Sequence, residues 1–443
     1  MKLYGWGRYP VLECRVEHLR RPEQLPGFLD CGTSLIARGN GRSYGDASLN
    51  PALTLSMLGM DRLQAFDAGT GLLTCEAGVM LSDILDTFVP RGWVPPVVPG
   101  TKFVTVGGMI AADIHGKNHH LEGSFGTHVE SLTLATADGA LRVCSRSENT
   151  DLFNATIGGM GLTGVILSAS FRLKPIETSF VMAETLSANN LDEAMALFED
   201  SHNWPFSVAW IDCQTRGGKF GRALVSRATT MARNSLPDSL AHDPLRLALT
   251  RKLSVPFDMP SVVINRISVG LFNELYYRHS NMRAGTSLVH FEPYFFPLDR
   301  IMAWNRLYGR RGFVQYQCVL PKSESPDGIA ALLGCVRRAR QCLPLAVLKL
   351  FGPSGEGLMS FPMEGYTLSL DFPMRHGTLD LLNTLDRITH DYGGRIYLAK
   401  DACSTPEGLR QGYPDFDAFN AVRAEATGMP DKFASQLSKR FKL

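Results

Sequence analysis

Short β-like runs punctuated by glycine follow one another from Leu35 to Leu173. Such runs predict strands joined by tight turns, and they read SLIARGNGRSYGD, LLTCEAGVML, TVGGMIAADIHG, VESLTLATADG and TGVILSASFRL. Helices are predicted here only at 81–92, where apolar residues recur at i, i+3, i+4 and i+7 before a glycine, and near 149–155. The pattern therefore predicts a mixed α+β domain.

The pattern changes after Pro175, where glycines become fewer and amphipathic segments appear at 191–201 and 328–342. Strands are predicted at FSVAWIDCQT, FVQYQCVLP, AVLKLFGP and YTLSLDFP. The last segment, from GGRIYLAKD onward, returns to the glycine-rich style of the first part. We therefore expect three sections: a domain at 1–175, a second α+β domain at 176–389, and a segment at 390–443 that re-enters the first domain.

A basic stretch with little periodicity lies between Cys213 and Phe257. Only Asp238 and Asp243 oppose its cations, which are Arg216, Lys219, Arg222, Arg227, Arg233, Arg246, Arg251 and Lys252. A charge run without hydrophobic periodicity predicts a loop, and we interpret this one as mobile.

Composition places the chain among folded globular proteins. Its 443 residues suit two domains better than one, and 44% hydrophobic with 20% charged residues argues against disorder and against a polytopic membrane protein. The formal charge of +2 gives no global attraction to nucleic acid. Nine scattered cysteines without a CxxC pair predict reduced thiols, and no histidine cluster has metal-ligand spacing. The first residues lack an apolar signal core, so secretory export is not expected.

The segment RGNGRSYGD, at 38–46, contains a G-x-G but lacks the third glycine and the following helical pattern of a Rossmann fingerprint. Side-chain-free backbone in such a loop can donate several N–H groups to a pyrophosphate. An ordinary glycine-rich turn is the alternative reading of this motif alone.

A second dense segment, PGTKFVTVGGMIAADIHGKNHHLEGSFGTHVESL at 99–132, joins paired glycines to a His/Lys/Asn cluster. Together with GGMGLTGVI at 158–166, these motifs resemble the FAD-binding domain of the vanillyl-alcohol-oxidase (PCMH-type) flavoproteins. WNRLYGRRGFVQYQCVLP, LKLFGPSGEGLMSFPMEGYTLSLDFP and GGRIYLAKD resemble, more narrowly, the decaprenylphosphoryl-β-D-ribose 2'-oxidase family. The resemblance implies a two-domain α+β fold: a PCMH-type FAD-binding domain and an α+β substrate (cap) domain built on an antiparallel sheet.

The resemblance also implies which residues line the FAD. They are Ala37, Arg38, Gly39, Asn40, Gly41, Arg42, Ser43, Tyr44, Gly45, Asp46, Ala47, Gly100, Thr105, Val106, Gly107, Gly108, Ala112, Asp113, Ile114, His115, Val165 and Tyr397. Several relatives tether the flavin to a histidine in the first glycine loop, where this chain has Arg42. His115 corresponds to a noncovalent neighbour in the family, so noncovalent FAD is expected.

On the substrate side the resemblance implies Lys117, Tyr44, Gln315, Gln317, Lys349 and Lys400, with Thr367 and Ser369 on the strand where mycobacterial relatives carry Asn and Cys. Alcohol oxidation needs a proton acceptor and positive charge near the flavin. Lys400, in IYLAKD, is the leading candidate for orienting substrate or accepting the proton, and Lys117 joins it. Tyr44 could donate a hydrogen bond, act as base or pack on the flavin.

Gln315 and Gln317 alternate along one strand and so share a face, as a substrate-binding pair or as a solvated pair would. Lys349 has apolar neighbours in AVLKLFG, which favours an inward position. Because position 369 holds serine, electrophilic inhibitors that need a thiol should not react there.

The predicted activity is FAD-dependent oxidation of a sugar secondary alcohol, at C2' of a polyprenyl-phosphoryl ribose, as the first half of an epimerisation completed by a separate keto-reductase. Expected partners are the lipid-linked sugar, a quinone or dioxygen as electron acceptor, and an anionic membrane surface touched by the basic stretch. The expected location is the cytoplasm, with peripheral contact at the inner face of the membrane. The alternatives are a soluble sugar or aldonolactone oxidase using dioxygen, and a non-catalytic binding protein that keeps the flavin fold.

Overall fold

The structure is a computed structural model that describes residues 1–248, 252–282, 285–429 and 431–443. The strands of the first 175 residues are β1 (Lys2–Tyr4), β2 (Val11–Glu13), β3 (Val16–His18), β4 (Ile36–Arg38), β5 (Thr54–Ser56), β6 (Leu63–Asp67), β7 (Leu72–Glu76), β8 (Trp93–Val94), β9 (Val129–Ala135), β10 (Leu141–Ser145), β11 (Val165–Arg172) and β12 (Lys174–Pro175). Strands β3, β5 and β4 form a parallel sheet, and β10, β9, β11, β7 and β6 form an antiparallel one.

Helices of this first part cover and connect the sheets. They are α1 (Leu25–Leu29), α2 (Leu81–Phe88), α3 (Val106–Ala111), α4 (His119–Glu122) and α5 (Thr150–Thr156). Helix α2 buries Leu81, Ile84, Leu85 and Phe88, the positions at which its sequence repeats apolar residues. The predicted helices at 81–92 and near 149–155 are thus present, with a short 3-10 turn at Val89–Arg91 before Gly92.

The second part is built on one large antiparallel sheet. The strands of this part are β13 (Phe180–Ala188), β14 (Phe206–Ile211), β15 (Ala223–Thr230), β16 (Leu253–Ser254), β17 (Gly285–His290), β18 (Ile301–Met302), β19 (Phe313–Pro321), β20 (Ala346–Phe351), β21 (Gly365–Pro373) and β22 (Arg395–Ile396). Of these, β16 and β18 form a separate parallel pair. Within the described residues the sheet order is β17-β13-β15-β14-β20-β21-β19-β22, and every pairing is antiparallel.

The remaining helices lie beside this sheet and at the carboxyl end. They are α6 (Leu191–Asp200), α7 (Asp238–Ala241), α8 (Arg266–Met282), α9 (Phe291–Phe295), α10 (Ser325–Arg338), α11 (Thr378–Asp391), α12 (Pro406–Gly412), α13 (Phe416–Thr427) and α14 (Gln436–Phe441). Helices α6, α10 and α11 cover one sheet face, where Tyr316, Cys318 and Leu320 of β19 join the buried core. Alternate residues of β19 therefore face the other way, toward the glycine-rich first part.

Two predictions from local pattern are wrong. The run TVGGMIAADIHG was predicted as a strand, but Val106–Ala111 is helix α3, whose first turn is capped by Thr105 Oγ1 accepting from the Gly108 amide at 3.3 Å. The basic stretch was predicted as a loop, but Ala223–Thr230 in its first half is strand β15, paired with both β13 and β14. Residues 249–251, which include Arg251, lie outside the described residues.

The carboxyl-terminal segment touches both parts of the chain. Strand β22 pairs with β19 of the large sheet. Farther along, Phe433 bridges Leu35, α13 packs on α5, and Arg440 pairs with Asp46 of the first glycine loop. These contacts support the proposed return to the first domain after residue 390, and the three boundaries themselves stay a prediction.

Candidate active site

Three neighbouring strands of the large sheet present polar side chains on the face that is turned away from the helices. The antiparallel register sets Gln317 opposite Ser369, Gln315 opposite Asp371, and Lys349 opposite Thr367. Directly paired residues share a sheet face, so this polar set lies together. Tyr316 points to the other face, where its hydroxyl lies 2.7 Å from Thr389 Oγ1. The alternation predicted for β19 is therefore present.

The two glutamines are buried and held by side-chain hydrogen bonds. Gln317 Nε2 donates to His115 Nε2 at 3.0 Å and to Thr367 Oγ1 at 3.1 Å. Its Oε1 accepts no hydrogen bond from the described residues, so it is free to accept one from a ligand hydroxyl. Burial of the imidazole lowers the pKa of His115 well below its usual range, which keeps the ring neutral and able to accept from Gln317.

Gln315 leads to a carboxylate that the sequence reasoning missed. Gln315 Nε2 donates to Asp371 Oδ1 at 2.6 Å, and Tyr308 Oη donates to Asp371 Oδ2 at 3.0 Å. Burial raises the pKa of Asp371 to about 6, although both hydrogen bonds act against that rise. The only sequence signal for Asp371 is its place in YTLSLD, two residues beyond Ser369 in the same alternation.

Three lysines converge on this face from different elements. Lys400 Nζ lies 3.8 Å from the centroid of the Tyr44 ring, and Lys117 Nζ donates to the Tyr294 carbonyl while lying 4.1 Å from the Tyr294 ring centroid. Lys349 stands on β20. Burial lowers the pKa of Lys117 and of Lys400 to about 7 and that of Lys349 to about 8, and mutual repulsion with Lys349 adds to the lowering at the first two.

Tyr44 is surrounded by aromatic and cationic groups. Its ring meets Phe313 edge to face with centroids 5.4 Å apart, and Lys400 lies over the ring. Burial, with the nearby Asp371 carboxylate, raises the pKa of Tyr44 well above its usual range. The phenol therefore stays protonated, and of the roles open to it from sequence, hydrogen-bond donation and packing fit better than that of a base.

The first glycine loop carries a row of unused backbone donors. Within the described residues, the amide N–H groups of residues 39–43 donate no hydrogen bond, whereas the next amide, of Tyr44, donates to the Ala399 carbonyl at 2.9 Å. Five free amides in a half-buried loop suit a bound diphosphate. A side chain at Gly100 would meet no protein atom within 4 Å, so open space lies beside this glycine as well. These features fit FAD.

Several other residues predicted to bind FAD support the loops through their side chains. Tyr397 Oη donates to the Ala112 carbonyl at 2.8 Å, and Asp113 accepts from Ser124, Ser360 and the Gly126 amide. Asp46 pairs with Arg440, and Val165 lies in a buried apolar cluster with Ala37 at its edge. The polar groups of these side chains already bond to other groups of the protein. The proposed contacts of these residues with FAD are therefore expected to come from backbone groups or from apolar side-chain surface.

Position 369 gives a direct test of access to the site. Ser369 is half-buried on the polar face. We expect Ser369→Cys to create a thiol that iodoacetamide alkylates, as measured by peptide mass mapping. Cys318 lies on the opposite sheet face, where burial raises its pKa to about 12, and should stay unmodified in both proteins. Exposed Cys31 should react in both and serves as an internal control. If the introduced thiol reacts no more than that of Cys318, the prediction that reagents reach position 369 is wrong.

Comparisons with known proteins agree with this geometry. A family model described as an FAD binding domain matches residues 30–145. The chain is 37% identical over 452 residues to decaprenylphosphoryl-β-D-ribose oxidase of Mycolicibacterium smegmatis, covering 100% of this chain and 97% of that protein. An uncharacterised Streptomyces coelicolor protein is 35% identical over 82% of this chain and 100% of its own length. L-gulonolactone oxidase of Mus musculus is 33% identical over 35% of this chain and 36% of its own length.

Proposed function

The chain belongs to the decaprenylphosphoryl-β-D-ribose oxidase family, and from that premise we propose that it oxidises C2' of a polyprenyl-phosphoryl-β-D-ribose to the keto-sugar. It is an FAD-dependent oxidoreductase with the predicted two-domain α+β fold. The observation that carries the proposal for the substrate is the polar sheet face, where one free amide oxygen and three amines of lowered pKa lie together.

We assign the reaction to this chain's residues as follows. FAD, when bound, supplies the acceptor for the hydride that leaves the alcohol carbon. Lys400, in its neutral form, accepts the hydroxyl proton, because a pKa of about 7 places both forms within reach at neutral pH. Lys349, whose pKa of about 8 leaves it mostly protonated at neutral pH, supplies positive charge beside the site, and Lys117 adds to that charge in its protonated form. Gln317 Oε1 accepts a hydrogen bond from a sugar hydroxyl, and Thr367 orients that amide.

The proposed partners follow from a lipid-linked substrate. The M. smegmatis relative is by its name an oxidase of a decaprenyl-linked ribose. Among the described residues no helix is both long and apolar enough to cross a bilayer. Helix α8 exposes Ile267, Leu271 and Leu275, and this apolar row supports peripheral contact with a membrane at the cytoplasmic face. A quinone as electron acceptor and a separate keto-reductase as the next enzyme complete the proposal.

The basic stretch contributes less to that contact than its composition predicts. Arg222 pairs with Asp212 at 2.8 Å and with Glu274 at 2.8 Å, and Arg227 pairs with Glu184 at 2.6 Å. These guanidinium groups are neutralised inside the second part of the chain. We therefore place the proposed membrane contact at α8 instead.

Anaerobic addition of a prenyl-phosphoryl-β-D-ribose is expected to bleach the visible flavin absorbance of the purified protein. The alternative, a soluble sugar or aldonolactone oxidase, predicts instead that free pentoses or lactones reduce the flavin and that air then releases peroxide without a quinone. A flavin that stays yellow with every candidate sugar would favour a binding protein and contradict the proposed activity.

A further inference from the structure

An open cavity of about 830 Å³ lies beside the first glycine loop, between the amino-terminal segment and residues 256–258 and 302–310. Five arginines line it, namely Arg8, Arg38, Arg42, Arg306 and Arg310. Among the described lining residues, Asp258 is the one acidic group. Five cations against a single carboxylate make the cavity strongly attractive to an anion.

Most of these guanidinium groups are already fixed in place. Arg8 pairs with Asp258 at 2.5 Å, and Arg306 donates to the Val255 and Pro256 carbonyls at 3.0 and 2.9 Å. Arg38 donates to the Tyr4 carbonyl at 2.7 Å and crosses Gly41, whose φ of +62° and missing side chain leave room for the guanidinium. A ligand anion would therefore meet donors that lose little freedom on binding.

Two arginines have donors to spare. Arg42 stacks on Trp6 with its Cζ 4.0 Å from the ring centroid, and its buried Nε has no partner. Arg310 is exposed and, within the described residues, forms no ion pair or hydrogen bond. An unpaired buried guanidinium N–H is costly unless a ligand satisfies it.

The cavity adjoins the candidate active site. Arg42 and Tyr44 flank Ser43 in the same loop, and the Tyr44 ring carries Lys400 on its face. Leu253 and Phe257, near or on the cavity wall, are 60% and 61% exposed, which gives an apolar chain a surface to follow away from the arginines. We propose that this cavity binds the phosphodiester of the substrate, with the sugar directed toward Lys400 and the prenyl chain leaving past Phe257. This inference rests on the proposed function.

FAD's own diphosphate is the rival occupant. The unused amides of residues 39–43 already form a donor row suited to that diphosphate. Arg8, Arg306 and Arg310 come from segments outside that loop. Asn40, Gly41 and Arg42 of that loop also line the cavity, so the side chains of Arg8, Arg306 and Arg310 are the donors that lie apart from the cofactor loop. These three suit a second anion, from the substrate.

Titration calorimetry of the FAD-loaded protein with farnesyl phosphate, and with farnesol as the neutral probe, tests the proposal. We expect Arg310→Gln to weaken farnesyl phosphate binding about five- to tenfold, the loss of roughly one charge-assisted contact. Binding of farnesol should not change. Arg387→Gln is the matched control, because it removes an exposed arginine on α11, which packs on the other face of the sheet.

Each outcome decides a different point. If wild type binds both probes equally, or if Arg310→Gln leaves phosphate binding unchanged, the phosphate site is wrong. If Arg310→Gln loses FAD instead, with the flavin content falling against Arg387→Gln, the cavity serves the cofactor. If phosphate binding behaves as expected while no prenyl-phosphoryl ribose reduces the flavin, the phosphate site stands and the proposed reaction fails.

Discussion

Replacing Lys400 with methionine is expected to slow flavin reduction by substrate at least about a hundredfold while the flavin stays bound. The ammonium group lies 3.8 Å from the Tyr44 ring centroid, and burial holds its pKa near 7. Methionine keeps much of the apolar volume but can neither accept a proton nor carry charge. Stopped-flow absorbance under anaerobic conditions measures the step, and Lys322→Met, at an exposed lysine paired with Glu199, is the control.

The pH profile separates a proton acceptor from a fixed charge. As a base, Lys400 must be neutral, so the wild-type rate should rise with pH through about 7, its folded-state pKa. Lys400→Arg keeps the charge but cannot lose a proton near neutral pH, so it should be slow and should lack that rise. A rate that instead falls as pH increases through 7 would show that the charged ammonium is the active form.

Lys400 is also expected to lower the free energy of unfolding. Its pKa falls from 10.5 to about 7 on folding, so the penalty for burying charge is fully present below pH 7 and fades as pH rises toward 10.5. Lys400→Met should therefore raise the melting temperature most below pH 7, with a smaller gain at higher pH. A stabilised but inactive variant is the result expected when a side chain is kept for chemistry.

Local pattern was enough for elements whose signal lies within a few residues. The repeat at 81–88 predicted α2, and the alternation of Gln315 and Gln317 predicted their common sheet face. The same reasoning failed for helix α3. Two glycines and a valine disfavour a helix locally, whereas the Thr105 cap and the burial of Val106, Met109 and Ile110 stabilise it. Strand β15 was missed because its arginine drew attention to charge and away from the buried apolar run at 223–225 with which it begins.

The arrangement of the candidate active site was harder to predict from sequence than the helices and strands were. Gln315 and Asp371 are 56 positions apart, and Gln317 and His115 are 202 apart, so only the register of the folded sheet brings them into contact. Roles taken from the family resemblance named Gln315, Gln317 and His115. They left out Asp371, which accepts a hydrogen bond from Gln315, and Tyr308, which donates one to Asp371. The assigned roles of all these residues stay proposals until the variants are measured.

The second large effect is expected from a single methyl group at Gly45. A side chain there would overlap the Asp401 carbonyl oxygen and approach its carbon to 2.8 Å, so the loop and the carboxyl-terminal segment touch through bare backbone. Lys400 is the neighbour of Asp401, and Arg440 binds Asp401 at 2.8 Å and Asp46 at 3.0 Å. The glycine loop and the segment that carries Lys400 are therefore held together by this backbone contact and by the two ion pairs of Arg440.

Gly45→Ala should force the glycine loop away from the carboxyl-terminal segment. It should lower the free energy of unfolding by about 1–3 kcal/mol or more, as overpacking does. It should also reduce FAD content and flavin reduction together, because the loop that offers its amides to the cofactor and the segment that carries Lys400 move as one. Gly27→Ala, in α1 with nothing within 4 Å of the added carbon, is the matched control and should be neutral or slightly stabilising. Thermal unfolding and the flavin-to-protein absorbance ratio measure both effects. If Gly45→Ala matches Gly27→Ala in both, the contact does not couple the loop to the lysine, and the placement of Lys400 must depend on the sheet instead.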